Sequence, residues 1–236
     1  MKHDLTFLLQ QLKKPTLKFS ILPSIDHSPS LASYIGGKPY MTKEEQFSSC
    51  KQCKKPLTFA YQLYMQKETE SVLFAFYYCF HCQTIHKTNN FEMKMYRNPT
   101  KENMKQDVKK NAFIEYAEFE FHATWSLPEW DVLQSIHADV VEHLSKEFKD
   151  DAWVVYENTK ESLVGLAHLE PFSFYKGYPQ FLSEPRFPTC KCCKKPMDLF
   201  IQLDSYEEFG LSWGEMGCLY VFQCPKHENE FKIFIQ

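Results

Sequence analysis

One short phrase, written twice, constrains this chain more than anything else in it. Cys50-Lys51-Gln52-Cys53-Lys54-Lys55-Pro56-Leu57 recurs as Cys190-Lys191-Cys192-Cys193-Lys194-Lys195-Pro196-Met197, at an offset of 140 residues. The same offset carries Gly37-Lys38-Pro39 onto Gly177-Tyr178-Pro179, Gln62-Leu63 onto Gln202-Leu203, and Phe91 to Met95 onto Phe231 to Ile235. Between these matches Cys79 and Cys82 correspond to Cys224 and His227 at an offset of 145, so the second copy holds five extra residues in its loop. Loops absorb such insertions at little cost. The pattern predicts two related β-rich units.

The spacing has a chemical meaning. The first unit reads CxxC, 25 residues, CxxC, and the second reads CxxC, 30 residues, CxxH. A CxxC turn lets two thiolates grip one ion while its amides point at the sulfurs, and a hairpin returns a second pair opposite them. We therefore expect two structural zinc sites, Cys50, Cys53, Cys79 and Cys82 in one and Cys190, Cys193, Cys224 and His227 in the other. Four strong ligands leave no vacancy for substrate or water, which argues against catalytic zinc. Four thiolates around Zn²⁺ leave a formal charge of about −2, which Lys54, Lys55, Lys194 and Lys195 are placed to offset. Other readings stay open. The thiols could be reduced, buried small hydrophobes, or CxxC redox pairs, although the redox motif opens a helix and these precede strands. Cys192 and Cys218 are spare thiols, and Cys192, Cys218, His81 or His86 could replace a ligand.

Local patterns place these residues on strands. Apolar residues alternate from Leu57 to Met65, and a second β-rich run from Val72 to Tyr78 pairs with it as an antiparallel hairpin, bringing both CxxC pairs to one end. Ala117, Phe119, Phe121, Ala123 and Trp125 mark a further half-buried strand. Ser126 and Glu129 form a capping box for a helix whose stripe is Leu133, Ile136, Val140, Leu144 and Phe148, with Asp150 and Asp151 beyond its end. A short first helix runs from Leu5 to about Lys13, with Asp4 as its N-cap and Pro15 stopping it. A Ser/Pro-rich connection fills residues 23 to 33, and Gly36-Gly37 before a proline reads as a fixed turn. Residues 101 to 110 read as a solvated linker.

These readings give an α+β protein, mainly antiparallel sheet, with an internal duplication of a zinc-ribbon-like hairpin unit plus a connecting strand and helix. The chain divides into 1–98 (first repeat), 99–170 (connection) and 171–236 (second repeat), expected to form one compact body. Its 236 residues suffice for a core without disulfides, and a net charge of −3 lacks the basic excess of a non-specific nucleic-acid binder. No apolar run reaches membrane-spanning length, and MKHDLTFLLQQLKKP is too short and polar for a secretion signal, so the expected location is cytoplasmic. No GxSxG, P-loop, HExxH or GxGxxG sequence occurs, and no catalytic or organic-cofactor residues are assigned.

The successive segments Lys176 to Phe181 (KGYPQF), Met197 to Leu203 (MDLFIQL), Trp213 to Gly217 and Leu219 to Phe222 resemble the YwqG-like family of bacterial proteins. The first half, through Ile35-Gly36-Gly37-Lys38-Pro39, CKQCKKPL, Gln62-Leu63-Tyr64 and Tyr96-Arg97-Asn98, also resembles the amino-terminal domain of programmed cell death protein 2. Together the resemblances cover most of residues 30 to 98 and 171 to 236. The first implies an α+β, largely antiparallel fold with no established catalytic residues. The second implies a chaperone-like binding protein, since that relative is associated with a small-subunit ribosomal protein.

The expected function is a zinc-stabilised interaction scaffold for a protein or peptide partner. The longer second loop, Asp204 to Met216, would offer Phe209, Leu211 and Trp213 as its contact, against a competing reading in which Trp213 packs inward. The alternatives are an enzyme with a pocket invisible in sequence, or using a reactive Cys192, and a bacterial toxin-neutralising protein.

Overall fold

The computed structural model describes residues 2–66, 68–82, 90–110, 112–165 and 172–236, of which 2–4 by backbone alone. Its centre is a ribbon of two long strands, β1 (Lys14–Pro23) and β6 (Ala117–Ser126), antiparallel and in register from Lys14 opposite Ser126 to Pro23 opposite Ala117. On the β6 side follow β2 (Tyr34–Ile35), β3 (Thr58–Gln66), β4 (Ser71–Tyr78) and β5 (Phe91–Arg97). On the β1 side follow β7 (Phe174–Tyr175), β8 (Asp198–Asp204), β9 (Cys218–Gln223) and β10 (Phe231–Ile235). The ten strands form one sheet in the order β10-β9-β8-β7-β1-β6-β2-β3-β4-β5, all pairs antiparallel. The fold is α+β, as the sequence predicts.

The two flanks match element by element, at an offset of 140 residues for β2/β7, β3/β8 and β5/β10 and of 145 for β4/β9. Tyr34 lies opposite Gln62 as Phe174 lies opposite Gln202. Each hairpin carries a register shift at the same place, between Phe59 and Tyr61 and between Leu199 and Ile201. The bulge leaves β3 buried on both faces, with Phe59, Ala60, Tyr61, Gln62 and Leu63 all enclosed, where simple alternation predicts one face.

The sheet curls into a nearly closed barrel, and its two halves share one core. Phe74 of β4 meets Phe200 of β8 edge to face, with ring centroids 4.7 Å apart. Trp213, 1% exposed, fits among Phe76, Tyr78 and Phe80. Aromatic side chains remove large apolar areas from water, so this seam is where burial stabilises the joined halves most.

Four helices pack together beside the ribbon. They are α1 (Lys2–Leu12), α2 (Trp130–Ile136), α3 (Ala138–Phe148) and α4 (Ala152–Val164), held by Leu5, Leu9, Leu133, Val140, Leu144 and Tyr156. Lys160, buried to 1% exposure, is ion-paired to Glu129 at 2.8 Å and Glu157 at 2.7 Å, which satisfies a charge that burial would otherwise disfavour. None of the helices among the described residues is long and apolar enough to cross a membrane.

Several local expectations are corrected. The first helix starts at Lys2, so Asp4 lies inside it, and Pro15 belongs to β1. Ser126 ends β6, and Glu129 occupies the N-cap of α2 without a side-chain capping bond. The single predicted helix is two, broken at His137, whose φ of −138° is not helical. Helix α4 follows at Ala152–Val164, where the sequence pattern predicts only a connection. In residues 101 to 110, Met104 and Val108 are buried anchors and Lys105 donates to the Glu45 carbonyl at 2.9 Å, so the segment is fastened and not merely solvated.

Candidate metal centres

Each CxxC pair sits in a tight knuckle between an isolated bridge and the start of a strand. In the first, the Cys50 N–H donates to Lys55 O (2.7 Å), the Lys54 N–H donates to Cys50 O (2.9 Å), and Ser49 bridges Pro56. In the second, Cys190 and Lys195, Lys194 and Cys190, and Thr189 and Pro196 repeat these contacts. Lys54 and Lys194 hold left-handed φ values of 61° and 58°, which turn the chain back so that both thiols of each pair face one point. Their side chains, with those of Lys55 and Lys195, are exposed beside the knuckles.

The opposite pairs arrive from the far strands. Cys79 follows β4 and Cys82 ends a single 3₁₀ turn, Phe80–Cys82; Cys224 follows β9, and His227 lies in the turn before β10. The four sulfurs of Cys50, Cys53, Cys79 and Cys82 all lie within 4.8 Å of one another, as do the ligand atoms of Cys190, Cys193, Cys224 and His227. Cys50 Sγ is 4.0 Å from Cys82 Sγ and Cys53 Sγ is 3.5 Å from Cys79 Sγ. In the second group Cys193 and Cys224 are 3.6 Å apart, and His227 Nδ1 lies 3.6 Å from Cys190 Sγ and 3.5 Å from Cys224 Sγ. Sulfurs about 2.3 Å from one tetrahedral ion stand about 3.8 Å apart, and a sulfur and an imidazole nitrogen about 3.5 Å. Disulfide sulfurs would be at about 2.05 Å, and all nine thiols are free.

The protein backbone prepares these sulfurs unequally. Amides of Cys53 and Gln52 pull the Cys50 thiol down to about 7, and amides of Cys193 and Cys192 pull Cys190 down to about 6. Burial, with the neighbouring thiols, pushes Cys79 up to about 12 and raises Cys224. One thiol per site, Cys50 or Cys190, is thus drawn toward the thiolate, while Cys79 and Cys224 hold their protons more tightly.

Other residues named from sequence lie elsewhere. Cys192 is exposed, outside its cluster, although its N–H donates to Cys190 Sγ at 3.4 Å. Cys218 is buried in β9 with its thiol on the Leu203 carbonyl at 3.4 Å. His81 is exposed on the 3₁₀ turn, and His86 lies outside the described residues. The contact surface expected of Phe209, Leu211 and Trp213 is corrected: all three are buried in the shared core, because the loop folds back under the 3₁₀ turn and Trp213 N–H bonds Ser205 Oγ. Sequence reading missed Asn90. It is buried at the first cluster, with Oδ1 3.7 Å from Cys50 Sγ, Nδ2 on Cys82 O, and its carbonyl on the Cys79 amide. A single polar residue carries no spacing signal that would have revealed it.

Between the halves runs a cleft of about 400 Å³. Phe74, Tyr175 and Phe200 line it together with Arg97, Lys176 and Cys224. Arg97 of β5 reaches across to Glu228, one residue past His227, and also pairs with Glu70 at 3.2 Å. One wall of the cleft is therefore the turn that carries two ligand atoms of the second cluster.

No curated protein matches the chain. A family model described as a domain of unknown function (DUF1963) matches residues 33–227, from just before β2 to the last cluster residue. That span takes in β2 to β9, with the eight residues of the two clusters, and the chain belongs to the DUF1963 family, the YwqG-like proteins.

Proposed function

We propose that the protein is a binding scaffold clamped by two structural zinc ions, one in each cluster, and that the cleft between its halves receives a protein or peptide segment. The carrying observation is the sulfur and imidazole spacing, which fits a closed tetrahedral sphere twice over. Thiolate-rich donor sets select soft or borderline cations, and the absence of a free coordination position in either group favours a structural role over Lewis-acid chemistry. The matched registers of the two flanks support descent from one duplicated ribbon-like hairpin, with 1–98 and 171–236 as the repeats and 99–170 as their link. The cleft supports binding because its apolar floor is ringed by charges of both signs, a lining suited to a peptide's side chains and termini. A cytoplasmic setting suits reduced thiols.

The test is elemental analysis of untagged protein purified without chelator. Two zinc ions per chain support the reading; fewer than one, with all nine thiols titratable, overturns it. For the cleft, a photo-crosslinking residue at Lys176 in cells should yield protein-sized adducts that disappear in Arg97→Glu, a change on the exposed rim of the cleft. Adducts with small molecules alone would return the cleft to an enzyme or ligand-binding reading.

A further inference from the structure

The inner face of the central ribbon outruns its cover. Pro15 lies opposite Trp125, and Leu17 lies opposite Ala123 on one side and Tyr175 on the other, so these five residues share the face that Phe19 and Phe121 turn into the barrel core. Phe19 is enclosed, whereas Ala123 and Trp125 are exposed, Trp125 to 49%. The five line a hollow of about 500 Å³. It adjoins the cleft between the halves, since Pro15, Tyr175 and Lys176 line both. An apolar floor therefore continues from the cleft past Tyr175 to Trp125.

Charge is spread unevenly along this floor. At the ribbon end, Lys13 stands 5.2 Å from the centre of the Trp125 ring, Lys176 5.2 Å from that of Tyr175 and Lys14 4.4 Å from that of Tyr178. Lys13 also donates to the Leu163 carbonyl at 3.3 Å. Among the described residues none of these three lysines is ion-paired to a carboxylate. At the far end Arg97 is held between Glu70 and Glu228, two carboxylates to one guanidinium. Asp198, which opens β8, lies between the two ends in the strand order. The site is polarised, positive at the ribbon and negative where β5 meets the turn before β10.

We infer that the segment received by the cleft carries acidic residues beside a bulky apolar one; this rests on the reading of the cleft as a peptide site. The apolar side chain enters the hollow at Trp125, and the carboxylates meet Lys14 and Lys176. Lysines with no anion of their own complement a carboxylate, and the apolar floor beside them lowers the local dielectric, which strengthens the pairing. A basic segment would meet three like charges there. A nucleic-acid strand also offers anions, with bases to stack, but its phosphates recur at every nucleotide and would run on into Asp198, Glu70 and Glu228. A short acidic and apolar run is negative only where the site is positive.

Peptide binding to the full chain tests this. The probes are fluorescein-labelled peptides with the core Glu-Glu-Phe-Leu or its reverse, compared by anisotropy with Ser-Ser-Phe-Leu, Lys-Lys-Phe-Leu and an oligouridylate. One of the acidic peptides should bind about tenfold or more tighter than the serine peptide at about 50 mM salt, and that preference should fade at about 500 mM. Lys176→Glu should abolish the preference and strengthen binding of the lysine peptide, a gain that a misfolded chain would not show. Trp125→Ala should weaken every Phe-Leu peptide, and Lys109→Glu, at an exposed position lining neither hollow, should change nothing. Equal binding of acidic, neutral and basic peptides, or an acidic preference that survives Lys176→Glu, overturns the inference and leaves the peptide reading standing. Failure of every peptide to bind overturns both. Tighter binding of the oligouridylate than of any peptide overturns the inference in favour of a nucleic-acid strand.

Discussion

Gln62 and Gln202 make the same buried hydrogen bonds 140 residues apart. The Oε1 of Gln62 accepts from the Tyr40 N–H at 2.9 Å, and that of Gln202 accepts from the Gln180 N–H at 2.9 Å. Their Nε2 atoms donate to Ala32 O and Phe172 O, and Gln62 also reaches Ser30 O. Each glutamine thus fastens the loop around the conserved-spacing glycine turn to its own hairpin. Replacing either with leucine strands buried backbone groups. Gln62→Leu should cost about 2–4 kcal/mol and Gln202→Leu about the same or slightly less, read as a lower urea midpoint at unchanged slope.

Loss of a ligand should differ sharply from loss of a spare thiol. Cys53→Ser and Cys193→Ser are each expected to release one metal ion and lower the thermal midpoint strongly, since the affinity of a structural site, about 10 kcal/mol or more, counts toward folding. Cys192→Ser should keep both ions and unfold like the wild type. Metal content and calorimetry on the same samples decide this.

Metal affinity should fall with acidity in a definite sense. Cys79, held up to about 12 by burial, and the raised Cys224 stay protonated in the metal-free protein at neutral pH. Binding must expel those protons, so apparent affinity rises with pH, and proton release should be measurable on adding Zn²⁺ in weak buffer between pH 6 and 8. No proton release on binding would show that the thiols are not ligands.

Glu45 should set part of the acid limb of stability. Burial alone would raise its carboxyl, but the Thr42 N–H at 2.7 Å, Lys94 at 3.3 Å and the Tyr96 hydroxyl at 3.0 Å bring it below the usual value. The carboxylate's contribution is therefore full above its unfolded value near pH 4.5 and is lost as pH falls through the lower folded one. Glu45→Gln should cost about 1 kcal/mol at pH 7, given its partial exposure, and flatten the stability profile between about pH 5 and 3.

Trp213→Ala should act through the core. The ring contacts Phe76, Tyr78 and Phe80 across the seam, so truncation should cost about 3–5 kcal/mol and loosen both halves together. Separate unfolding transitions for the two halves in the wild type would contradict the shared core.

What the sequence reveals tracks how local the cause is. The cysteine pairs, the first hairpin and the glutamine match all depend on short spacings, and each is readable in the chain. Strand β1 is not: Lys14 to Pro23 carries two prolines and pairs with residues roughly a hundred positions away. Helix α4 hides because its buried positions are Ala152, Tyr156 and Lys160, a small, an aromatic and a charged residue that make no apolar stripe. The break at His137 hides for the opposite reason, since apolar spacing continues across it. Trp213 and its neighbours read as a surface loop by position alone, and only the curled sheet explains their burial.

The β1–β6 pairing also dictates an order of events during synthesis. Residues 34 to 97 contain a complete three-stranded hairpin unit with all four of its cysteines, so that portion can condense while translation continues. Its amino-terminal neighbour β1 must wait until Ser126 has left the ribosome. High contact order at the middle of the sheet then makes closure of that long loop the slow event, and prolonged exposure of β1 is the interval in which a nascent chain is most open to misassembly.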